Sequence, residues 1–104
     1  SCKKAVLQQP QIIDLGNTST STAIKSITQT GNIVTAKFET TIGAKYSVQI
    51  IPFGSEIPSK KEGFTATEGV TKKVYDLSEL SKKDYDLVFI DISGKEVKYP
   101  IVIK

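Results

Sequence analysis

The chain reads as an all-β protein, a single antiparallel β-sandwich of about seven strands, on three observations. Thirteen isoleucines and eleven threonines among 104 residues enrich it in β-branched side chains, which pack well on a pleated surface and lose rotamer freedom in helices. Apolar and polar residues alternate with period two in several segments, as in strands with one buried and one wet face. Clusters of Gly, Pro, Asn and Ser interrupt these segments every ~8–12 residues, the spacing of a sandwich. The length suits one core. An apolar fraction of 38% against 24% charged residues is far from the composition of disordered chains.

Residues 1–10 end in Gln8-Gln9-Pro10, a polar stretch suited to a flexible tether. The domain is expected over residues 11–104. Ile12, Ile13 and Leu15 suggest a first strand, and residues 16–22 an exposed loop. Two strands are expected between Ala23 and Thr41 around the turn Thr30-Gly31-Asn32, the second with Val34, Ala36, Phe38 and Thr40 alternating against polar residues. Tyr46, Val48 and Ile50 repeat the pattern until Pro52 and Gly54 end it.

Residues 54–69 lack clear periodicity and are rich in Gly, Pro and charge. They read as one long loop, and such loops in compact domains are often functional. A candidate binding loop is therefore placed here, with Ile57, Lys60, Lys61 and Phe64 as its contact residues. Ile57 and Phe64 also suit satellite core positions covering a sandwich edge.

Val70 to Leu80 reads as a strand running into a corner. The segment from Tyr85 to Ile92 has Tyr85, Leu87 and Phe89 on one face and Val88, Ile90 and Ile92 on the other, which predicts a central strand covered on both sides. After Ser93-Gly94-Lys95, the alternation of Val97, Tyr99, Ile101 and Ile103 gives a last strand. Pro100 within it cannot donate to a ladder, so this strand belongs at an edge or a bulge.

Leu80-Ser81-Lys82-Lys83-Asp84-Tyr85 resembles the corner of immunoglobulin-like and fibronectin type III-like domains, where a leucine ends one strand and a tyrosine opens the next. The resemblance covers residues 71–104 and implies an immunoglobulin-like sandwich, with the Tyr85 hydroxyl bonded back to the corner backbone. Asp76, Leu77, Ser78, Leu80, Tyr85, Asp91, Gly94, Lys95 and residues 101–104 also resemble the carboxy-terminal sorting domains of type IX secretion cargo. That second likeness reads as convergence on the same sandwich end.

The single cysteine, Cys2, cannot form an internal disulfide. Ser1-Cys2-Lys3-Lys4 resembles the start of a Bacteroidetes-type outer-membrane lipoprotein. That resemblance implies acyl chains on Cys2, Ser1 as the last residue of a removed signal peptide, and a place in the cell envelope on the outer membrane. No apolar run approaches the roughly 18 residues of a membrane-spanning helix, so membrane attachment is expected to pass through Cys2 alone.

All fourteen basic residues are lysines and the net charge of +3 is dispersed. Without arginine forks to read phosphates and guanine edges, nucleic acid is not an expected partner. There is no histidine, which removes the commonest general base and metal ligand. Asp84, Asp86 and Asp91 come closest to a carboxylate cluster, with Asp76 as a further oxygen donor. They read better as solvated corner carboxylates paired with Lys82 or Lys83. No catalytic residue, metal or cofactor is expected. The expected function is that of a lipid-anchored, extracytoplasmic binding or structural module, with a cell-surface protein or glycan as the contact. The alternative is a carbohydrate-binding or adhesin accessory module, which would require two or more exposed tyrosines beside Asp or Gln.

Overall fold

The computed structural model describes residues 23–104, which form seven antiparallel strands: β1 (Ile24–Thr30), β2 (Ile33–Glu39), β3 (Lys45–Pro52), β4 (Lys60–Thr65), β5 (Val70–Asp76), β6 (Asp84–Ile90) and β7 (Glu96–Val102). They build a sandwich of two sheets, β1-β2-β5 and β4-β3-β6-β7. The strand anticipated at Ile12, Ile13 and Leu15, the loop over 16–22, the tether and Cys2 all lie outside the described residues.

Period-two alternation sets the register. In β2, Val34, Ala36 and Phe38 face inward and are fully buried, opposite Tyr75, Lys73 and Thr71 of β5. In β3, Val48 and Ile50 face inward beside Phe89 and Leu87 of β6. The β1–β2 turn needs a left-handed residue and has Gly31 there at φ 61°. Gly94 at φ 89° does the same between β6 and β7, a conformation that costs an L-residue its Cβ clearance.

Rings span the interior as a continuous row. Phe38 of β2 stacks on Phe89 of β6 with centroids 4.1 Å apart and planes 5° from parallel. Phe89 stacks on Tyr46 at 5.1 Å, and Tyr46 on Phe64 of β4 at 5.7 Å. Buried aromatics of this size dominate core energetics, and such ring pairs add to their area burial. At the end of the sandwich holding the β2–β3 turn, buried Thr40 is satisfied by the Glu68 carbonyl at 2.7 Å and the Thr71 hydroxyl at 2.8 Å. A buried hydroxyl without such partners would be costly.

The corner before β6 follows the sequence reading. Leu77 is buried, Leu80 packs against the core, and the Tyr85 hydroxyl donates to the Ser81 carbonyl at 2.7 Å. The backbone groups of β7 explain its proline. The Val102 carbonyl is bonded from the β1 side by Gln29, so even-numbered β7 residues aim their backbone groups away from β6. Pro100 shares that parity, and its missing N–H costs the sheet no bond.

Two readings are corrected. Residues 54–69 are not one loop, because β4 occupies 60–65. Its alternation is hidden because two of its three inward positions, Lys60 and Glu62, are charged and only Phe64 is apolar. The expectation that β6 is covered on both faces holds only in part. Val88 is buried between its cross-strand neighbours Gln49 and Lys98, whose long side chains flank it. However, β6 ends at Ile90, and Ile92 sits 76% exposed in the following turn.

Replacing the corner hydroxyl in Tyr85→Phe is expected to lower the free energy of unfolding by about 1 kcal/mol, measured by urea denaturation, with no change in the strand signal by circular dichroism.

Candidate functional site

A two-sheet sandwich has two lateral sides, and in this molecule they differ. On one side β4 and β5 face each other across the gap between the sheets. Tyr75, inward on β5, donates its hydroxyl to Glu62 Oε1 of β4 at 2.9 Å. Lys73 Nζ lies 3.7 Å from Glu62 Oε2 and 4.5 Å from the centre of the Phe64 ring, within cation–π range. Glu62 is thus held by an ion pair and a phenol. Burial, then the hydrogen bond to Glu62, pushes the Tyr75 phenol far above its ordinary value, because both disfavour the phenolate.

The other side lies between β1 and β7. Here the sheets are joined by polar side chains reaching the last strand's backbone. Gln29 Nε2 donates to the Val102 carbonyl at 2.6 Å. Asn32 Nδ2 donates to the Lys104 carbonyl at 3.1 Å and Asn32 Oδ1 accepts from the Lys104 amide at 3.3 Å. The linking residues themselves line an open cleft of about 720 Å³ on this side, together with Ile27, Tyr99 and Ile101. A smaller cleft of about 270 Å³, bordered by Ala23, Tyr46, Asp91 and Val97, adjoins the start of β1.

The four candidate contact residues separate. Phe64 belongs to the core margin through its stack on Tyr46. Lys60 and Lys61 are exposed on β4, opposite Ile50 and Gln49. Ile57 is 77% exposed in the β3–β4 turn, so it is not the satellite core residue its sequence context suggested. The turn is fixed by Ser55, whose amide donates to the Pro52 carbonyl and whose hydroxyl accepts from the Ile57 amide. Phe53, 74% exposed, shares that turn and went unnoticed between the strand-ending Pro52 and Gly54. Its amide donates to the Asp84 carbonyl at 3.0 Å, which ties the turn to the corner bearing Lys82 and Lys83.

The carboxylates do not converge. Asp84 and Asp86 lie on the outer face of β6, and neither pairs with Lys82 or Lys83; the ion pairs among the described residues are Lys25–Glu39 and Lys73–Glu62. Asp91 Oδ1 accepts from the Ser93 hydroxyl at 2.6 Å and from the amides of Ser93 and Lys95. Asp76 accepts from the hydroxyl and amide of Ser78. These bonds, the serine hydroxyls first, hold both carboxyls below the usual carboxylate range, since they stabilise the charged form. Among the described residues no three His, Cys, Asp or Glu side chains are grouped as metal ligands. No helix among them is long and apolar enough to cross a membrane.

Tyr75 and Tyr85 are buried. Tyr46 is half-buried with its hydroxyl accepting from the Thr41 amide, and Tyr99, 42% exposed, faces the β1–β7 cleft alone. No protein-family model matches this chain, and no curated protein sequence matches it either.

Two pH responses follow. Tyr75 keeps its proton in the folded state where the unfolded chain has lost it, so its contribution is present below about pH 10 and declines as pH rises above it. In Tyr75→Phe, the loss of stability between pH 9 and 11, measured by urea unfolding, should be shallower than in the parent by the contribution of about one titrating group. Asp91 works in the opposite sense. Its depressed carboxyl stabilises the fold above its unfolded value near 4 and loses that contribution as pH falls through the folded value. Asp91→Asn should flatten the acid limb of the same unfolding profile, and an unchanged slope would assign that limb to other carboxylates.

Proposed function

We propose that the protein is a non-catalytic module of the cell envelope, attached to the outer membrane through lipid on Cys2 and working by surface contact with another cell-surface protein. The observation that carries this reading is how its reactive side chains are used. Asp76 and Asp91 cap turns as carboxylates of lowered pKa, which suits them poorly to proton transfer near neutral pH. Glu62, Lys73 and Tyr75 hold β4 to β5. What remains free is surface, and its most exposed large apolar residues, Phe53, Ile57, Ile42 and Ile92, stand in turns rather than on sheet faces.

The finer fold assignment is part of the same reading. The sheets β1-β2-β5 and β4-β3-β6-β7 and the Tyr85 corner support an immunoglobulin-like sandwich of fibronectin type III-like order, a fold that commonly serves as a spacer or contact module. Protein contact is favoured over the carbohydrate-binding alternative because that reading asks for neighbouring exposed tyrosines, whereas Tyr99 is exposed singly and Tyr75 and Tyr85 are buried. Phe53 and Ile57, with Lys60 and Lys61 on the following strand, are the proposed contact residues.

The anchor is tested by expressing the full precursor in a lipoprotein-processing bacterium. Intact mass is expected to show a diacyl- or triacylglyceryl group on Cys2 and fractionation to place the protein in the membrane, while Cys2→Ala stays soluble. Two or three acyl chains give durable attachment. An unmodified, soluble parent protein would overturn the envelope assignment.

A further inference from the structure

We infer that the outer edge of β5 is an interface between two copies of this chain, which pair antiparallel about Val74 and join two β1-β2-β5 sheets into one. Among the described residues, β2 is the only neighbour of β5 in its sheet. Their register runs without a shift from Ile33 opposite Asp76 to Glu39 opposite Val70. The Leu77 amide donates to the Asn32 carbonyl, and the Gly69 carbonyl accepts from the Thr40 amide, so odd-numbered residues turn their backbone groups toward β2. By the alternation of an antiparallel ladder, Lys72, Val74 and Asp76 turn theirs outward. All three are exposed, and Val74 is the most exposed large apolar residue on any strand described.

The other edges are interrupted. β7 lacks a donor at Pro100, and its Val102 carbonyl is taken by Gln29. β1 shifts register between Ile24 and Ser26. β4 is a strand of six residues that includes Gly63, a residue type that weakens strands. β5 has seven residues with neither glycine nor proline, and a regular edge of this kind is a template for another strand.

The side chains of β5 select a second copy and a single register. Outward-facing residues of two antiparallel copies pair with each other. With the two-fold axis at Val74, Val74 meets Val74 of the second copy, and Lys72 meets its Asp76 on either side. An axis at Lys72 or at Asp76 opposes like charges, and the registers between set Val74 against Lys72 or Asp76. Only the axis at Val74 matches apolar with apolar and positive with negative, the cross-strand pairs that stabilise a sheet. Neither Lys72 nor Asp76 has an ion-pair partner among the described residues. Ser78 occupies Asp76 Oδ1 and leaves Oδ2 for the lysine. Lys37 of β2 stands directly opposite Lys72, a like-charge pair that Asp76 of the second copy offsets. Identical surfaces meeting in this way close as an isologous two-fold dimer.

The test uses the full chain made without lipid, with reductant present so that Cys2 cannot cross-link two copies. Sedimentation equilibrium is expected to show a mass that rises with concentration toward two chains, and the Val74 amide should gain hydrogen-exchange protection over the same range. Lys72→Asp and Asp76→Lys each oppose like charges within their own dimers and should weaken dimerisation about tenfold or more. An equal mixture of the two variants should recover it, because each chain then meets opposite charges. Should Asp76→Lys unfold through loss of the Ser78 contacts, circular dichroism would reveal it, and Lys72→Asp with the Val74 amide of the unaltered chain then decide. A one-chain mass at about 1 mM, Val74 protection independent of concentration, or a dimer that Lys72→Asp leaves unchanged would overturn the inference; the second outcome would show the edge covered within one molecule.

Discussion

The stack of Phe38 on Phe89 is the contact on which the rest of this sandwich depends. A two-layer fold has no third layer to fall back on, so the inner faces of its sheets must meet across ~10 Å with side chains long enough to span the gap. Phe38 and Phe89 come from central strands of opposite sheets, β2 and β6. From this pair the row continues through Tyr46 to Phe64, carrying ring contacts from the centre to the β4 edge. Around it, Val34, Val48, Ile50 and Leu87 fill the remaining space. The smaller sheet places Ala36 between Val34 and Phe38, where a small residue leaves room for the rings opposite.

The aromatic row also explains why charge is admitted at the β4–β5 margin. Once Phe64 is seated on Tyr46, β4 brings Glu62 to the same inner face two residues earlier. A half-buried carboxylate needs partners, and β5 supplies them at matching spacing, Lys73 and Tyr75. The margin is closed by polar groups that satisfy one another, and the neutral phenol adds a donor without a second negative charge. Among the described residues nothing comparable joins β1 to β7, where the links are side-chain amides binding main-chain groups of β7 and Lys104.

The sequence displays most of this fold because the central strands obey a simple rule. β2 and β3 alternate cleanly, β6 carries apolar residues on both faces as a central strand does, and Gly31 and Gly94 mark turns that only glycine adopts easily. Tyr85 and Leu80 were legible as a corner because their roles depend on local backbone geometry. β4 was not legible, since an edge strand that pairs its inward Glu62 with a neighbouring sheet carries no apolar period. Ile57 and Phe64 looked alike as isolated apolar residues in a charged stretch, yet one lies beyond the strand and the other within it. Phe53 was masked by adjacent Pro52 and Gly54, which signal the end of a strand and say nothing of a side chain's exposure. The β1–β7 cleft was invisible for a different reason. It arises from the pairing of distant strands, and no local pattern encodes the gap between them.

The arrangement of the edges bears on how such a module can make contact. Exposed strand edges invite pairing with other chains. β4 presents Lys60 and Lys61, and β7 presents Pro100 at an outward-facing donor position, with Gln29 drawn onto the Val102 carbonyl. β1 carries an irregularity between Ile24 and Ser26, which interrupts a regular ladder. The most exposed large apolar side chains among the described residues, Phe53, Ile57, Ile42 and Ile92, stand in turns, while Val74 on the edge strand β5 is the most exposed on a strand. Phe53 and Ile57 stand together in one turn, fixed by Ser55 and tied to the corner through Asp84. A pair of apolar side chains on a backbone already held by hydrogen bonds loses little freedom on binding, and this preorganisation favours the turn as a contact surface under the proposed function.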